Sequence, residues 1–303
     1  MKTTEPARSG WQHTLILFVV LLSSIGVSLL LCGISSAQAE DSATPITYDI
    51  NTVLMEATFR IHGAAKGKPG QISFGTAFLM GKPHPDDNTK AFYVLISAAH
   101  VFAGIEGDNA TITLRVRQPD GRYLERPWPI ELRRNGEELF VRHAEADVSA
   151  LYVNMPDDFA VTILPTALLA NDDVLKKFEI HPGDELFCLG FPLLAQSPMG
   201  FPILRSGKIA SYPLVPTSIH KSILFDFRVF EGNSGGPVYF VDRDRTYGGN
   251  VYLGQKIQFV VGLVTSQLMA PAFNNQALQI ASVVPAPFIR ETIDLLPKTS
   301  PYP

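Results

Sequence analysis

The chain contains few cysteines and has a small net charge. Its 303 residues include two cysteines, and 18% of them are charged, with a formal net charge of −4 at pH 7. No block of lysine and arginine interrupts the sequence, so the electrostatic footprint of nucleic-acid binding is missing and we expect no such partner. Hydrophobic residues make up 46% of the chain, which favours a globular fold over disorder.

The N-terminal segment, residues 1–39, has the pattern of an export signal. Lys2 and Arg8 precede an apolar stretch over residues 14–34, and Ala37-Gln38-Ala39 forms a small-x-small cleavage site. The apolar stretch is longer than in an ordinary signal peptide, and about 20 apolar residues can also span a bilayer. We therefore expect a cleaved signal peptide, with a membrane anchor as the alternative, and an exported domain that is periplasmic or secreted in both cases.

Cleavage after Ala39 would leave Cys188 as the only cysteine, so no disulfide could form within the mature chain. An exported protein without disulfides must rely on its hydrophobic core, and this chain is long enough to build one. Cys188 lies in an apolar run, and we expect it to be a buried structural thiol.

Short apolar or alternating runs, bounded by Gly, Pro, Asn and Asp, predict an all-β barrel or sandwich. They fall into two groups, separated by a linker over 155–183 that contains one helix-like piece at 171–178. Apolar residues at helical spacing predict a closing helix over 285–297. The predicted strands are 53–62, 73–80, 91–97, 111–117, 127–133 and 147–153, followed by 185–190, 203–211, 222–229, 237–242, 257–266 and 278–284.

Residues 231–237, Glu-Gly-Asn-Ser-Gly-Gly-Pro, hold Ser234 between glycines. A serine becomes a nucleophile when a base removes its proton and donors stabilise the charge that develops on the substrate. The segment also fits the G-x-S-x-G elbow of α/β-hydrolases, in which the catalytic histidine follows the serine. The last histidine here is His220, so the order of these residues excludes that fold and places the base upstream.

Two upstream residues can complete the chemistry. His100 follows an apolar run that ends in a turn of small residues, where an imidazole can be presented at the edge of a sheet. Asp147 precedes another apolar run, where a partly buried carboxylate could fix the tautomer of the imidazole. His143 and Glu145 lie near Asp147, but no pair of candidate ligands has metal-site spacing on one element, so we expect no metal and no cofactor.

The segments 97–100, 147–151 and 232–237 resemble the three signature blocks of chymotrypsin-fold, or trypsin-like, serine peptidases, in the order of that family. The resemblance is closest to the disulfide-free bacterial branch that includes the high-temperature-requirement proteases, here without a PDZ domain. It spans about residues 50–296. Weaker matches to the same family occur at 75–79, 183–192, 207–211 and 261–266.

The resemblance implies a serine peptidase domain over residues 40–303. Its fold would be all-β, with two six-stranded antiparallel β-barrels and a C-terminal helix. The first barrel would cover about 46–154 and the second 184–284, with the active site in the cleft between them.

The resemblance also assigns roles to single residues. His100 would be the general acid and base, Asp147 its orienting partner and Ser234 the nucleophile. The main-chain N–H groups of Gly232 and Ser234 would form the oxyanion hole. Asn233 stands where digestive members of the family carry an aspartate that pairs with a new N-terminus; because a carboxamide cannot form that ion pair, we expect no N-terminal zymogen switch.

The substrate-binding residues implied by the resemblance are Arg228, Val264, Thr265 and Ser266. Val264 and its neighbour Leu263 favour an apolar primary side chain, which we expect, whereas Arg228 would favour an acidic one if it points inward. The function expected is therefore an exported serine endopeptidase that acts on proteins or peptides. The alternative is a catalytically silent or ligand-gated binding module with a protease fold.

Overall fold

The computed structural model describes residues 49–159, 161–196, 198–270 and 276–302. The predicted export signal or anchor, residues 1–39, lies outside the described residues. Within the described ranges, no helix has the length and apolar character needed to cross a membrane.

The first half of the described chain forms one sheet of eight strands. Its order is β5-β4-β1-β2-β3-β9-β8, all antiparallel, and β10 pairs with β2 in parallel. Two-residue strands β6 and β7 form a separate hairpin between β5 and β8. The strands are β1 (Thr58–Ala64), β2 (Ile72–His84), β3 (Asp87–Ser97), β4 (Asn109–Arg117), β5 (Tyr123–Glu131), β6 (Arg133–Arg134), β7 (Glu137–Glu138), β8 (Val141–Arg142), β9 (Ser149–Tyr152) and β10 (Leu164–Pro165).

The second half forms a closed barrel of six strands, as the resemblance implies. Neighbours follow the order β11-β12-β13-β16-β15-β14, and all pairs are antiparallel. The strands are β11 (Glu185–Gly190), β12 (Ile203–Ile209), β13 (Ile223–Asp226), β14 (Pro237–Tyr247), β15 (Asn250–Ala270) and β16 (Gln276–Pro285).

The all-β fold is confirmed, but the first sheet differs in strand number from the six predicted. The additional strands, β8 and β10, are each two residues long, which is too short to show an alternating pattern in the sequence. The described helices are α1 (Ile50–Ala57), α2 (Ala99–Ala103), α3 (Asp172–Lys177) and α4 (Ala286–Asp294), with 3₁₀ turns η1 (Thr166–Leu168) and η2 (Pro192–Leu194).

The strand predicted at 53–62 is wrong over its first half, because α1 occupies residues 50–57. The buried residues of α1 lie at the i, i+3, i+4 and i+7 positions of a helical stripe, and Asp49 caps the helix by accepting the N–H of Asn51. β1 begins at Thr58. Helix α1 is only two turns long and contains several residues that also favour strands. Its hydrophobic pattern in the sequence is therefore continuous with the pattern of β1.

Strands β14 and β15 extend further than predicted. Residues 243–256, which carry no predicted strand, continue both strands into a hairpin that turns at Gly248 and Gly249. Both glycines have positive φ angles of 57° and 74°, the conformation that a tight two-residue hairpin requires.

The hydrophobic side chains form two clusters. The smaller cluster fills the second barrel and includes Cys188, whose pKa is raised to about 12 by burial. The larger cluster fills the first sheet and continues across the outer face of the second barrel, through Tyr239 and Leu263. Helix α4 belongs to this larger cluster, although it follows the second barrel in sequence. Hydrophobic packing of α4 therefore connects the end of the second barrel to the first sheet.

Arg245 of β14 forms the most buried ion pair among the described residues. Its side chain is 8% exposed and contacts Asp184, which is 11% exposed, at 2.8 Å. The same guanidinium donates to the main-chain carbonyls of Phe178 and Glu179 at the end of α3. This arrangement ties the segment before β11 to the barrel wall.

Replacing Asp184 with Ala should lower the free energy of unfolding by about 2–3 kcal/mol, because it leaves the buried guanidinium of Arg245 with only the longer contact to Asp242, at 3.5 Å. Urea denaturation measures the loss. Asp120→Ala removes the exposed partner of Arg122 and should cost far less. Equal losses for the two variants would show that the Arg245 pair is not the stronger contact.

Candidate active site

The imidazole of His100 and the carboxylate of Asp147 form a short contact. His100 lies in the first turn of α2, directly after β3, and Asp147 lies in the turn before β9. The distance from His100 Nδ1 to Asp147 Oδ2 is 2.6 Å, and the main-chain N–H of His100 donates to Asp147 Oδ1 at 2.9 Å. Antiparallel pairing of β3 with β9, which joins Ser97 to Ser149, brings the two turns together.

The environment of Asp147 favours its charged form. Burial acts to raise the pKa of this carboxyl, but hydrogen bonds from the His100 ring and from the main-chain N–H groups of His100 and Ala99 outweigh it, and the pKa is lowered overall. A charged carboxylate is an acceptor, so the proton of a neutral imidazole lies on Nδ1. The Nε2 atom of His100 is then unprotonated and can act as a base.

Ser234 lies in a turn that only glycines can form. Gly232 and Gly235 have positive φ angles of 94° and 85°. A Cβ atom on Gly232 would lie 2.2 Å from the carbonyl oxygen of Phe191, and one on Gly235 would lie 2.1 Å from that of Thr76. The glycines are therefore required both for the turn and for its close approach to neighbouring main chain.

Thr76 of β2 connects this turn to the first sheet through both its main chain and its side chain. It is fully buried. Its N–H donates to the carbonyl of Ser234 at 2.9 Å, and its hydroxyl donates to the carbonyl of Gly232 at 2.6 Å. The hydroxyl also accepts the N–H of Phe191, and the Thr76 carbonyl accepts the hydroxyl of Ser97.

The main-chain N–H groups of the turn divide into two sets. Those of Asn233, Gly235 and Gly236 donate to carbonyls within the protein. Within the described residues, those of Gly232 and Ser234 have no acceptor. Two unpaired N–H groups beside a serine are what an oxyanion hole needs.

The hydrogen bond of the Ser234 hydroxyl goes to another partner than His100 in this structure. The hydroxyl donates to the main-chain carbonyl of Thr265 at 3.0 Å, and within the described residues no hydrogen bond joins it to the imidazole. Hydrogen bonds of catalytic serines are often long or poorly aligned before substrate binds, so this geometry is compatible with Ser234 as a candidate nucleophile.

The four predicted substrate-binding residues have different placements. The side chain of Val264 is fully buried in the core of the second barrel, and Leu263 is buried in the larger cluster. Val264 therefore has no exposed surface to present to a substrate in this structure and does not support an apolar preference, and its role as a substrate-binding residue stays a prediction. Thr265 is largely buried, whereas Ser266 and Arg228 are exposed.

The main chain of β15 beyond Leu263 has one free edge. β14 pairs with β15 no further than Leu263, while β16 continues along the other edge to Ala270. The N–H and carbonyl of Val264 bond to the glycine turn, through Gly236 and Gly235. Residues 265–270 can therefore accept an extended peptide as an additional strand.

Arg228 belongs to a cluster of two arginines and two aromatic rings, formed by Arg205, Phe227, Arg228 and Phe230. The Arg228 guanidinium lies 4.8 Å from the centre of the Phe230 ring, and that of Arg205 lies 4.2 Å from the Phe227 ring. Arg205 also donates to the carbonyl of Arg228 at 2.6 Å. Within the described chain, neither guanidinium forms an ion pair.

Asn233 is 1% exposed, and its amide nitrogen has no hydrogen-bond partner among the described residues. The absence of a zymogen switch stays a prediction. In the part of the chain that the structure describes, no three histidine, cysteine, aspartate or glutamate side chains come together as a metal site would need.

Thr76 and Ser97 also belong to the site, and neither is predicted from the sequence as a site residue. Thr76 lies inside the weakly matching segment 75–79, and Ser97 inside the segment that carries His100. A hydroxyl in an otherwise apolar strand was the signal, because a buried hydroxyl needs a partner.

No family model matches the chain, and no curated protein is significantly similar to it in sequence. Among solved structures, it is similar to the Rv3671c protease from M. tuberculosis in its active form, at 17% identity and a TM-score of 0.44, over 84% of this chain and 89% of that one.

Two further solved structures are similar to the chain. One is a thermostable serine protease, AL20, from an extremophilic microorganism, at 11% identity and a TM-score of 0.46, over 81% and 99% of the two chains. The other is the protease Anisep from Arthrobacter nicotinovorans, at 11% identity and a TM-score of 0.47, over 82% and 98%. At these values the fold assignment rests on the strand topology described above.

Replacing Gly232 with Ala should destabilise the protein more than replacing Gly248 with Ala. Both positions require a positive φ, which costs an ordinary residue about 1–2 kcal/mol. Only Gly232 would in addition force a Cβ into the carbonyl of Phe191, since nothing lies within 4 Å of the corresponding position at Gly248. Urea denaturation of the two variants compares the losses, and equal values would mean that the Phe191 segment moves away freely.

Proposed function

We propose that the protein is an exported serine endopeptidase that hydrolyses peptide bonds through an acyl-enzyme formed on Ser234. The observation that carries the proposal is the pairing of His100 with Asp147 beside a glycine turn whose Gly232 and Ser234 N–H groups have no internal acceptor. Base, orienting carboxylate, nucleophile and oxyanion donors are the parts that acyl transfer requires. Export is proposed from the sequence of residues 1–39.

In the proposed mechanism the first step is a side-chain rotation. The hydroxyl of Ser234 leaves the carbonyl of Thr265 and turns toward Nε2 of His100, which takes its proton as the oxygen attacks the substrate carbonyl. The N–H groups of Gly232 and Ser234 stabilise the oxyanion. His100 then gives the proton to the leaving amine, and a water molecule hydrolyses the ester by the same route.

The substrate would add as a strand along residues 265–270 of β15, so that main-chain hydrogen bonds hold it irrespective of sequence. For the primary side chain we propose an acidic preference, in place of the apolar one predicted from the sequence. The side chain of Val264 is fully buried. Among the described residues, Arg205 and Arg228 form no ion pair and contact aromatic rings and a main-chain carbonyl. Asp226 and Glu231 on the same segment are exposed, and they work against this preference.

The second candidate is a catalytically silent or ligand-gated module with a protease fold. It is favoured by the hydrogen bond from Ser234 to Thr265, which keeps the hydroxyl away from His100. The two candidates differ in what a ligand must do. The peptidase needs only substrate to turn the hydroxyl, whereas the gated module reacts when a separate ligand is present and the silent one never does.

Replacing Ser234 with Ala should lower turnover of an unfolded protein substrate by roughly 10⁴-fold or more, because the nucleophile is lost. Labelling by a fluorophosphonate probe should require both Ser234 and His100. Ser206→Ala, at an exposed serine of β12, is the matched control and should behave as wild type. Retained activity in purified Ser234→Ala protein would refute the peptidase, and labelling that depends on an added ligand would favour the gated module.

Replacing Arg228 with Glu should shift the primary preference from acidic toward basic side chains. The favourable contact of Arg228 with an acidic substrate side chain is replaced by a repulsive contact with Glu. We expect a change of about tenfold in relative kcat/KM, which corresponds to about 1.4 kcal/mol. A peptide library cleaved by both proteins measures the shift. Arg117→Glu makes the same change in net charge at an exposed position of β4 and should leave the preference as it is. A wild-type profile dominated by apolar residues would contradict the proposed pocket.

A further inference from the structure

We propose that His143 is a positioning residue for Asp147, and that it acts through an unprotonated Nδ1 atom that holds the turn carrying the catalytic carboxylate. This inference rests on the proposed function. Within the described residues His143 does not contact His100 or Ser234, so its effect would pass through the turn.

The turn over residues 143–148 is closed by the His143 ring and by its own main chain. Nδ1 of His143 accepts the N–H groups of Glu145 at 3.1 Å and of Ala146 at 3.0 Å. The N–H of His143 donates to the carbonyl of Val148 at 3.0 Å, and the N–H of Val148 donates to the carbonyl of Ala146. Asp147 lies inside this turn, directly after the two N–H groups that the ring holds.

These contacts fix the tautomer of His143. An Nδ1 atom that accepts two N–H groups cannot itself carry a proton, so the proton of the neutral ring lies on Nε2. That atom lies 2.9 Å from Oε2 of Glu291 on α4, to which it donates. The ring also packs edge to face against Phe288 of α4, with 5.1 Å between the ring centres. The C-terminal helix therefore sets the direction in which Nδ1 faces the turn.

Protonation of His143 would disrupt the hydrogen bonds at Nδ1 but not the contact at Nε2. The charged ring would keep its contact with Glu291, but an N–H on Nδ1 would face the two N–H groups of the turn. The charged groups near the ring include Glu145 of the turn, which pairs with Lys221 of the second barrel. Arg142, the preceding residue, pairs with Glu138. Acid should therefore loosen the turn while the ring stays in place.

The test compares two replacements in the full chain. His143→Asn supplies an oxygen that can accept the same N–H groups, as in an Asx turn, and does not titrate. His143→Leu has no acceptor. We expect His143→Leu to lower kcat by up to roughly 100-fold with little change in KM, because Asp147 is displaced while substrate binding is not. His143→Asn should retain most of the activity at neutral pH.

The pH profile separates positioning from a merely structural role. As pH falls, kcat/KM of the wild type should decline more steeply than that of His143→Asn, because a proton on Nδ1 of His143 removes the acceptor for the turn whereas the asparagine oxygen stays an acceptor in acid. An equally steep decline in both proteins would overturn the proposal, and so would wild-type activity in His143→Leu or loss of activity in His143→Asn. If circular dichroism shows that His143→Leu does not fold, the comparison of wild type with His143→Asn decides alone.

A matched control and an activity-independent readout complete the test. His84 accepts the N–H of Asp86 through Nδ1 in the β2–β3 turn, away from Asp147, and His84→Leu should leave the pH profile of kcat/KM as in wild type. In a Ser234→Ala background, the low-field proton resonance of the His100–Asp147 hydrogen bond should persist with His143→Asn and broaden with His143→Leu. This signal needs no hydrolysis, so it tests His143 even if the proposed peptidase activity fails; an unchanged signal in His143→Leu would refute the positioning role.

Discussion

The candidate site depends on the hydrogen bonds of one buried threonine. His100 and Asp147 come from the first sheet, whereas Ser234 comes from the second barrel, so the chemistry requires a fixed distance between the two halves. Thr76 contributes to this distance by bonding to the carbonyls of both Ser234 and Gly232, on either side of the Ser234 side chain. Its side chain is fully buried, and in that environment each of these groups would be costly to leave unpaired.

The glycine turn is held on its other side by β15, through the pairing of Val264 with Gly235 and Gly236. With main chain bonded to both halves, the turn has little freedom left except in the side chain of Ser234. Activation can then be a rotation of one hydroxyl away from Thr265 rather than a rearrangement of the backbone. In the proposed mechanism, a turn fixed in this way would keep the N–H groups of Gly232 and Ser234 in place before substrate arrives, which is the condition for effective electrostatic stabilisation.

Residue types and their spacing in the sequence predict the serine, histidine and aspartate of the site. They do not predict the direction in which a side chain points. Ser234, His100 and Asp147 are recognisable because glycine, small residues and an apolar run must surround them. Val264, which the resemblance places among the substrate-binding residues, has a fully buried side chain, and β15 contains a register shift between Val264 and Ser266 that strand alternation in the sequence does not reveal. Thr76 shows only a hydroxyl in an apolar strand, and this does not identify the partners of its side chain, Gly232 and Phe191, which lie more than a hundred residues away in the chain.

Helix α4 shows why the end of the chain matters to a carboxylate far from it in sequence. The helix follows the second barrel but packs in the core of the first sheet, and Glu291 reaches the turn that carries Asp147 through His143. On the opposite side, Lys221 of the second barrel pairs with Glu145 of the same turn. The turn is thus held by two segments that both belong to the later half of the chain. The geometry of Asp147 therefore rests on its contacts with His100 within the first sheet and also on side chains from the later half of the chain.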